Sequence, residues 1–209
     1  MKITPQRKRI LAYIVIGFVL LTILVSLFPP TLIDREFSEE IQEHQNPLLN
    51  LVMKAVSYPG YMPYAAVMVL ATVLVFYVKK RKREALFLLL TTGSSLISTI
   101  VKFMVNRPRP SKNFVKVIIA THQQSFPSGH VFFYVVFFGF LALLMYMLKH
   151  INNTLRLLVV IGCMLMIFII PVSRVYLGAH WFTDVLGGFL LGILYLFALS
   201  YWYLKGQRN

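Results

Sequence analysis

The sequence predicts an all-α fold: a bundle of six transmembrane helices, with short interfacial helices between the first and second spans. Three observations carry this. Hydrophobic residues make up 58% of the 209 positions and mean hydropathy is +0.72, against about 45 to 50% apolar in soluble domains. Apolar runs near bilayer-crossing length recur along the chain. Lys and Arg fall mostly between those runs, which is how membrane orientation is encoded.

The formal charge of +14 raises nucleic acid as a partner. A nucleic-acid binder needs a soluble basic face or a recognition module, and neither is present, so nucleic acid is excluded. The single cysteine, Cys163, lies in an apolar run. It permits no disulfide within the chain and no thiol-rich metal site, and it reads as a small packing residue. With no internal repeat, the chain reads as one domain over 1–209.

In order, a basic start (Lys2, Arg7, Lys8, Arg9) precedes the first span, about 10–28, which ends before Pro29 and Pro30. The run is too long for a signal peptide and ends without a small-residue cleavage site. Five of the seven acidic residues then cluster: Asp34, Glu36, Glu39, Glu40 and Glu43. Their spacing predicts the wet face of an amphipathic helix rather than a metal site. Asn46-Pro47 divides this stretch into two short interfacial helices. The second span covers 62–78 and stops at five consecutive cations, Lys79 to Arg83.

The third span covers 84–105. Its Thr91, Thr92, Gly93, Ser94 and Ser95 allow close helix approach, and Lys102 lies in its last turn. After a polar loop, the fourth span (129–148) opens at Pro127-Ser128-Gly129-His130. The fifth covers 155–172 and the sixth 181–204, where Gly188 and Gly192 form a small-residue packing pair. Lys205 and Arg208 mark the tail.

An even number of spans puts both termini on one side. The cations of the N-terminus, the 79–83 loop, the 149–156 loop and the tail assign that side to the cytoplasm. By parity Lys102, Arg109, His130, Arg174, His180 and Asp184 all belong to the outer surface.

Lys102, Arg109 and Arg174 are cations where the orientation rule asks for none. Convergent cations suit a phosphate group, whose oxygens accept charge-assisted hydrogen bonds, and they stabilise a phosphoryl-transfer transition state. Ser128 and Gly129 open a helix whose first N–H groups lack internal partners and attract anions. Ser128 has a side chain able to cap or donate. His180 and Asp184 share a face if their segment is helical, and a carboxylate beside an imidazole fixes its tautomer. Two histidines on different loops offer a nucleophile and a leaving-group acid. A di-histidine metal site is the competing possibility; it lacks carboxylate ligands beyond Asp184, and three cations would repel the metal. His44, His122 and His150 read as loop or interface residues.

Lys102-x6-Arg109-Pro110, Pro127-Ser128-Gly129-His130 and Ser173-Arg174-x5-His180-x3-Asp184 together resemble the three-part signature of the type 2 phosphatidic acid phosphatase family. That family also includes bacterial acid phosphatases and vanadium haloperoxidases. The resemblance implies that His180 attacks phosphorus to give a phosphohistidine, that Asp184 orients it, and that His130 protonates the leaving group and later assists water. It implies that Lys102, Arg109, Ser128, the Gly129 amide and Arg174 hold the phosphate oxygens, with no metal or other cofactor. A bacterial plasma-membrane enzyme follows, acting on a lipid phosphate such as undecaprenyl diphosphate, phosphatidylglycerophosphate or phosphatidic acid. Two alternatives remain: a lipid-phosphate flippase with a non-hydrolytic pocket, which leaves both histidines without a task, and vanadate-dependent peroxidase chemistry, against which membrane embedding counts.

Overall fold

A helix that is apolar on every side belongs in the middle of a bundle, and the fourth span is such a helix. In the computed structural model, which describes residues 4–28, 30–121 and 123–206, this helix runs Gly129–Met147 and buries seven consecutive residues, Val131 to Phe137. Lys2, Pro29, His122 and Arg208 lie outside the described residues.

The described residues form nine α-helices and no strand. They are α1 (Pro5–Leu27), α2 (Leu32–Gln42), α3 (Pro47–Ser57), α4 (Tyr64–Val78), α5 (Lys82–Leu90), α6 (Gly93–Val105), α7 (Gly129–Met147), α8 (Asn153–Tyr176) and α9 (Phe182–Lys205). Helices α8 and α9 pack on either side of α7, and α1 lies outside against α9. Phe18 of α1 stacks on Phe126 at 6.0 Å. The outer faces of α1 and α8 expose Ile16, Leu20, Ile23, Leu158, Leu165 and Phe168, as lipid-facing surfaces do. This is a multi-pass membrane protein.

The helices follow the expected apolar segments with three changes. The second is not a straight helix over 62–78. Helix α4 is only 15 residues long, and it reaches spanning length only with α3 and the short 3₁₀ turn Tyr58–Gly60, at a bend of 59°. The third is interrupted at Thr91-Thr92, whose hydroxyls bond back to Leu88 O (2.6 Å) and Leu89 O (2.7 Å). Side chains that compete for helix carbonyls loosen the ladder in this way, and Tyr195 OH satisfies the freed Leu90 O at 2.8 Å. The fifth is longer than 155–172 and carries Arg174 in its last turn.

Helix α2 corrects a further expectation. Glu36, Glu39, Glu40 and Glu43 are exposed, but Asp34 is fully buried, together with Ser38 and Gln42 one and two turns on. The inward face of α2 is thus a polar stripe. Gln42 clamps the 106–128 loop and the end of α8, bonding Lys116 N and O (both 2.9 Å) and Tyr176 O (3.0 Å). Cys163 is buried and free.

Candidate active site

Four helix ends and two loops meet at one end of the bundle. Lys102 comes from the last turn of α6, His130 from the first turn of α7, and Arg174 from the last turn of α8. Arg109 stands on the 106–128 loop and His180 on the turn before α9. Gly178, at φ +65°, makes that turn. A side chain there would strike Lys116 O, and the left-handed φ excludes most residues in any case. The turn folds Ala179 N and His180 N back onto Arg174 O (3.1 and 3.3 Å), so Arg174 and His180 are fixed relative to each other.

A cavity of about 660 Å³ is lined by Lys102, Arg109, Gly129, His130, Arg174 and His180, with Gly60, Tyr61 and Ser98 among its other walls. A second hollow of about 820 Å³, beside α2 and residues 112–117, contains none of these groups. Ser128 and Asp184 do not reach the first cavity; both are fully buried behind it. Ser128 N donates to Asp184 O at 2.9 Å. Its hydroxyl makes no side-chain cap on α7 and has no hydrogen-bond partner among the described residues.

Each cation is held by neutral oxygens rather than by a carboxylate. Lys102 Nζ donates to Gln124 O (2.6 Å) and Ser125 O (3.3 Å). Arg109 donates to Gln123 O, Gln124 O and Ala179 O, and its Nη1 lies 3.2 Å from His180 Nε2. Arg174 Nη1 donates to Ser57 Oγ (3.1 Å) and Tyr61 OH (2.8 Å). Carbonyls and hydroxyls orient these groups without cancelling their charge, so the cavity keeps a positive field for an anion. Burial, and then the charge of Arg174, draws the Arg109 guanidinium down to about 10, still protonated at neutral pH. Burial, followed by the charges of Arg109, Lys102 and Arg174, holds His180 well below the ordinary imidazole range. At neutral pH its ring is therefore uncharged, with a lone pair to offer.

His180 and Asp184 do not share a helical face, because α9 begins at Phe182. Asp184 Oδ2 stands 3.5 Å from His180 Nδ1, and that nitrogen makes no hydrogen bond among the described residues. The carboxylate is occupied elsewhere, accepting from Trp181 N (2.9 Å), Ser125 Oγ and Arg107 Nη1 (2.5 Å). Arg107, buried and absent from the sequence expectations, bridges onward through Nη2 to Asp34 Oδ2 (2.5 Å). Thr183 joins both, accepting from Arg107 Nη1 (2.7 Å) and donating from N and Oγ1 to Asp34 Oδ1 (2.9 and 2.8 Å). Asp34, Arg107 and Asp184 form one ionic chain behind the cavity wall.

Tyr61 also lies outside the three sequence clusters. It accepts from Arg174 and meets the His130 ring edge-on at 4.5 Å. Gly60 beside it leaves room for that ring, since a Cβ there would stand 2.3 Å from His130 Cδ2. The sequence held signals for both: Arg107-Pro108 doubles the Arg-Pro of the cluster, and Tyr58 to Pro63 interrupts an apolar stretch with two prolines and a glycine. Among the described residues, no three His, Cys, Asp or Glu side chains converge as a metal site would require.

The profile of the PAP2 superfamily matches residues 60–208. The chain belongs to the PAP2 superfamily. The match takes in every cavity residue named above. Phosphatidylglycerophosphatase B of Bacillus subtilis (strain 168) is 29% identical over 164 residues, covering 75% of this chain and 76% of that protein. The crystal structure of a transmembrane PAP2 type phosphatidylglycerolphosphate phosphatase from Bacillus subtilis superposes with a TM-score of 0.78 at 25% identity, covering 93% of this chain and 96% of that one. Aquifex aeolicus LpxE superposes at 0.61 and 25% identity, covering 81% and 93%. The structural likeness thus extends upstream of the profile match.

Proposed function

We propose that this PAP2 membrane lipid phosphatase hydrolyses a lipid phosphate or diphosphate at the outer membrane surface through a phosphohistidine on His180. The observation that carries the proposal is one cavity lined by three basic side chains, the buried His180 and the unpartnered Nε2 of His130. The cations bind the phosphate oxygens. His180 Nε2 attacks phosphorus and the bond to the leaving oxygen breaks, with His130 supplying that oxygen's proton. His130 then takes a proton from water, whose oxygen displaces His180 from phosphorus and yields inorganic phosphate.

Every group in this scheme belongs to the chain, so turnover needs no metal. Phosphatidylglycerophosphate is the substrate favoured by the Bacillus subtilis relatives, and undecaprenyl diphosphate fits the same chemistry. The lipid enters sideways from the bilayer.

Purified protein in detergent with excess chelator is expected to release inorganic phosphate from phosphatidylglycerophosphate. His180→Ala should lower that rate by at least about 10³-fold, as loss of a covalent nucleophile does, without unfolding the protein. Wild-type turnover by His180→Ala overturns the nucleophile assignment. Headgroup binding without phosphate release would instead support a flippase.

A further inference from the structure

We propose that Ser98 of α6 is a phosphate-binding residue of this site, lying outside all three sequence clusters and donating its hydroxyl to a non-bridging oxygen of a phosphomonoester. The proposal deepens the phosphatase assignment and rests on it.

Ser98 stands one helical turn before Lys102 and shares its face. It is only 3% exposed, yet it lines the cavity. Among the described residues its Oγ has no hydrogen-bond partner. Several other helical hydroxyls here satisfy themselves on a carbonyl three or four residues back. Thr22 Oγ1 reaches Phe18 O (2.7 Å), Thr72 Oγ1 reaches Met68 O (2.8 Å), Ser94 Oγ reaches Thr91 O (2.7 Å) and Thr99 Oγ1 reaches Ser95 O (2.9 Å). Ser94 and Thr99 lie on the same helix as Ser98. A buried hydroxyl that declines this local bond and faces a polar cavity keeps its proton for something that enters.

Position says what enters. A Cβ built on Gly129 would sit 3.2 Å from Ser98 Oγ and 4.0 Å from Lys102 Cε. Ser98 and Lys102 therefore both lie beside the opening turn of α7, a helix start whose free backbone N–H groups attract an anion. With Lys102, Arg109 and Arg174 already supplying charge, Ser98 supplies a directed donor, which fixes the rotation of a tetrahedral phosphate that point charges leave free.

The full-length protein in detergent tests this with two probes, phosphatidylglycerophosphate and soluble orthovanadate. Ser98→Ala is expected to raise the KM for the lipid and the inhibition constant for vanadate together, by roughly tenfold each. Ser94→Ala, which removes a buried hydroxyl on the same helix away from the cavity, should leave both at wild-type values. Ser98→Cys keeps the volume and weakens the donor, and should lose vanadate affinity as well. Unchanged constants in Ser98→Ala, or wild-type vanadate affinity in Ser98→Cys, overturn the proposal. A raised KM with unchanged vanadate inhibition also overturns it, placing the hydroxyl on the headgroup instead. Vanadate protection against thermal unfolding is read in parallel, so Ser98 is tested without turnover. A wild-type protein that binds vanadate and releases no phosphate refutes the phosphatase assignment and leaves the Ser98 result standing.

Discussion

Arg107 and Asp34 show what single residues do behind a reactive surface. The Asp34–Arg107–Asp184 chain has no exposed member, and both ion pairs are 2.5 Å long between fully buried side chains. Asp184 caps the start of α9 through Trp181 N, and it holds Ser125, whose carbonyl receives Lys102. The chain therefore positions His180 by fixing the backbone around it more than by touching its ring. Removing one partner of a buried pair strands the other charge, at a cost of about 3–5 kcal/mol. Arg107→Met is expected to lower thermal stability in detergent by that order and to reduce kcat, though Arg107 lines no part of the main cavity. Wild-type stability and kcat in this variant would show the chain to be dispensable. Part of it was legible: Thr31 and Asp34 have capping-box spacing, and the box forms, with Asp34 N on Thr31 Oγ1 at 3.2 Å. Its second carboxylate oxygen reaches Thr183, 149 residues away, and no local pattern announces that.

Among the elements, α2 and the α7–α9 pair mark where periodicity informs and where it misleads. The spacing in 31–43 correctly indicates a helix, but which face is buried depends on what the face meets. Here it meets carbonyls at the end of α8 and in the 106–128 loop, so Gln42 points inward while Phe37 is 40% exposed. The α9 glycines behave as their spacing suggests. A Cβ on Gly188 would stand 2.5 Å from the backbone oxygen of Ser128, and one on Gly192 would stand 2.7 Å from Val135 Cβ. Since a backbone carbonyl cannot swing aside, Gly188→Ala must push α9 from α7, at about 1–3 kcal/mol, and shift Ser128 with it. Gly162 in α8 has nothing within 4 Å of a built Cβ. Gly162→Ala should be neutral or stabilising by up to about 1 kcal/mol. Melting curves of the two variants check the contrast, and equal stabilities would refute the packing role of Gly188.

At the scale of the whole molecule, alternating helix direction gathers the site. Lys102 and Arg174 end their helices while His130 and Asp184 begin theirs, so consecutive antiparallel elements deliver all four to one end. The cationic loop at 79–83 and the link at 149–152 belong to the other end; Arg81 lies 3.2 Å from His150 there. The charge distribution then predicts that the cavity faces outward. A membrane-impermeant maleimide added to intact cells should label Ser111→Cys in a Cys163→Ala background, since Ser111 is exposed on the 106–128 loop. Labelling only after the cells are opened would reverse the orientation.

The sequence by itself determined the helical class, the approximate spans and six residues that line one cavity. These follow from hydropathy over a bilayer's thickness and from clusters at span ends, both local properties of the chain. The tertiary structure alone decided that α2 turns a carboxylate inward, that the second span bends to bring Tyr61 to Arg174, and that Asp184 is held through Arg107 before it approaches His180. It also decided that Ser98 keeps a free hydroxyl against Gly129. The physical reason is distance along the chain. Arg107 finds its two carboxylates 73 and 77 residues away, and the burial of such groups is set by partners that only folding brings together.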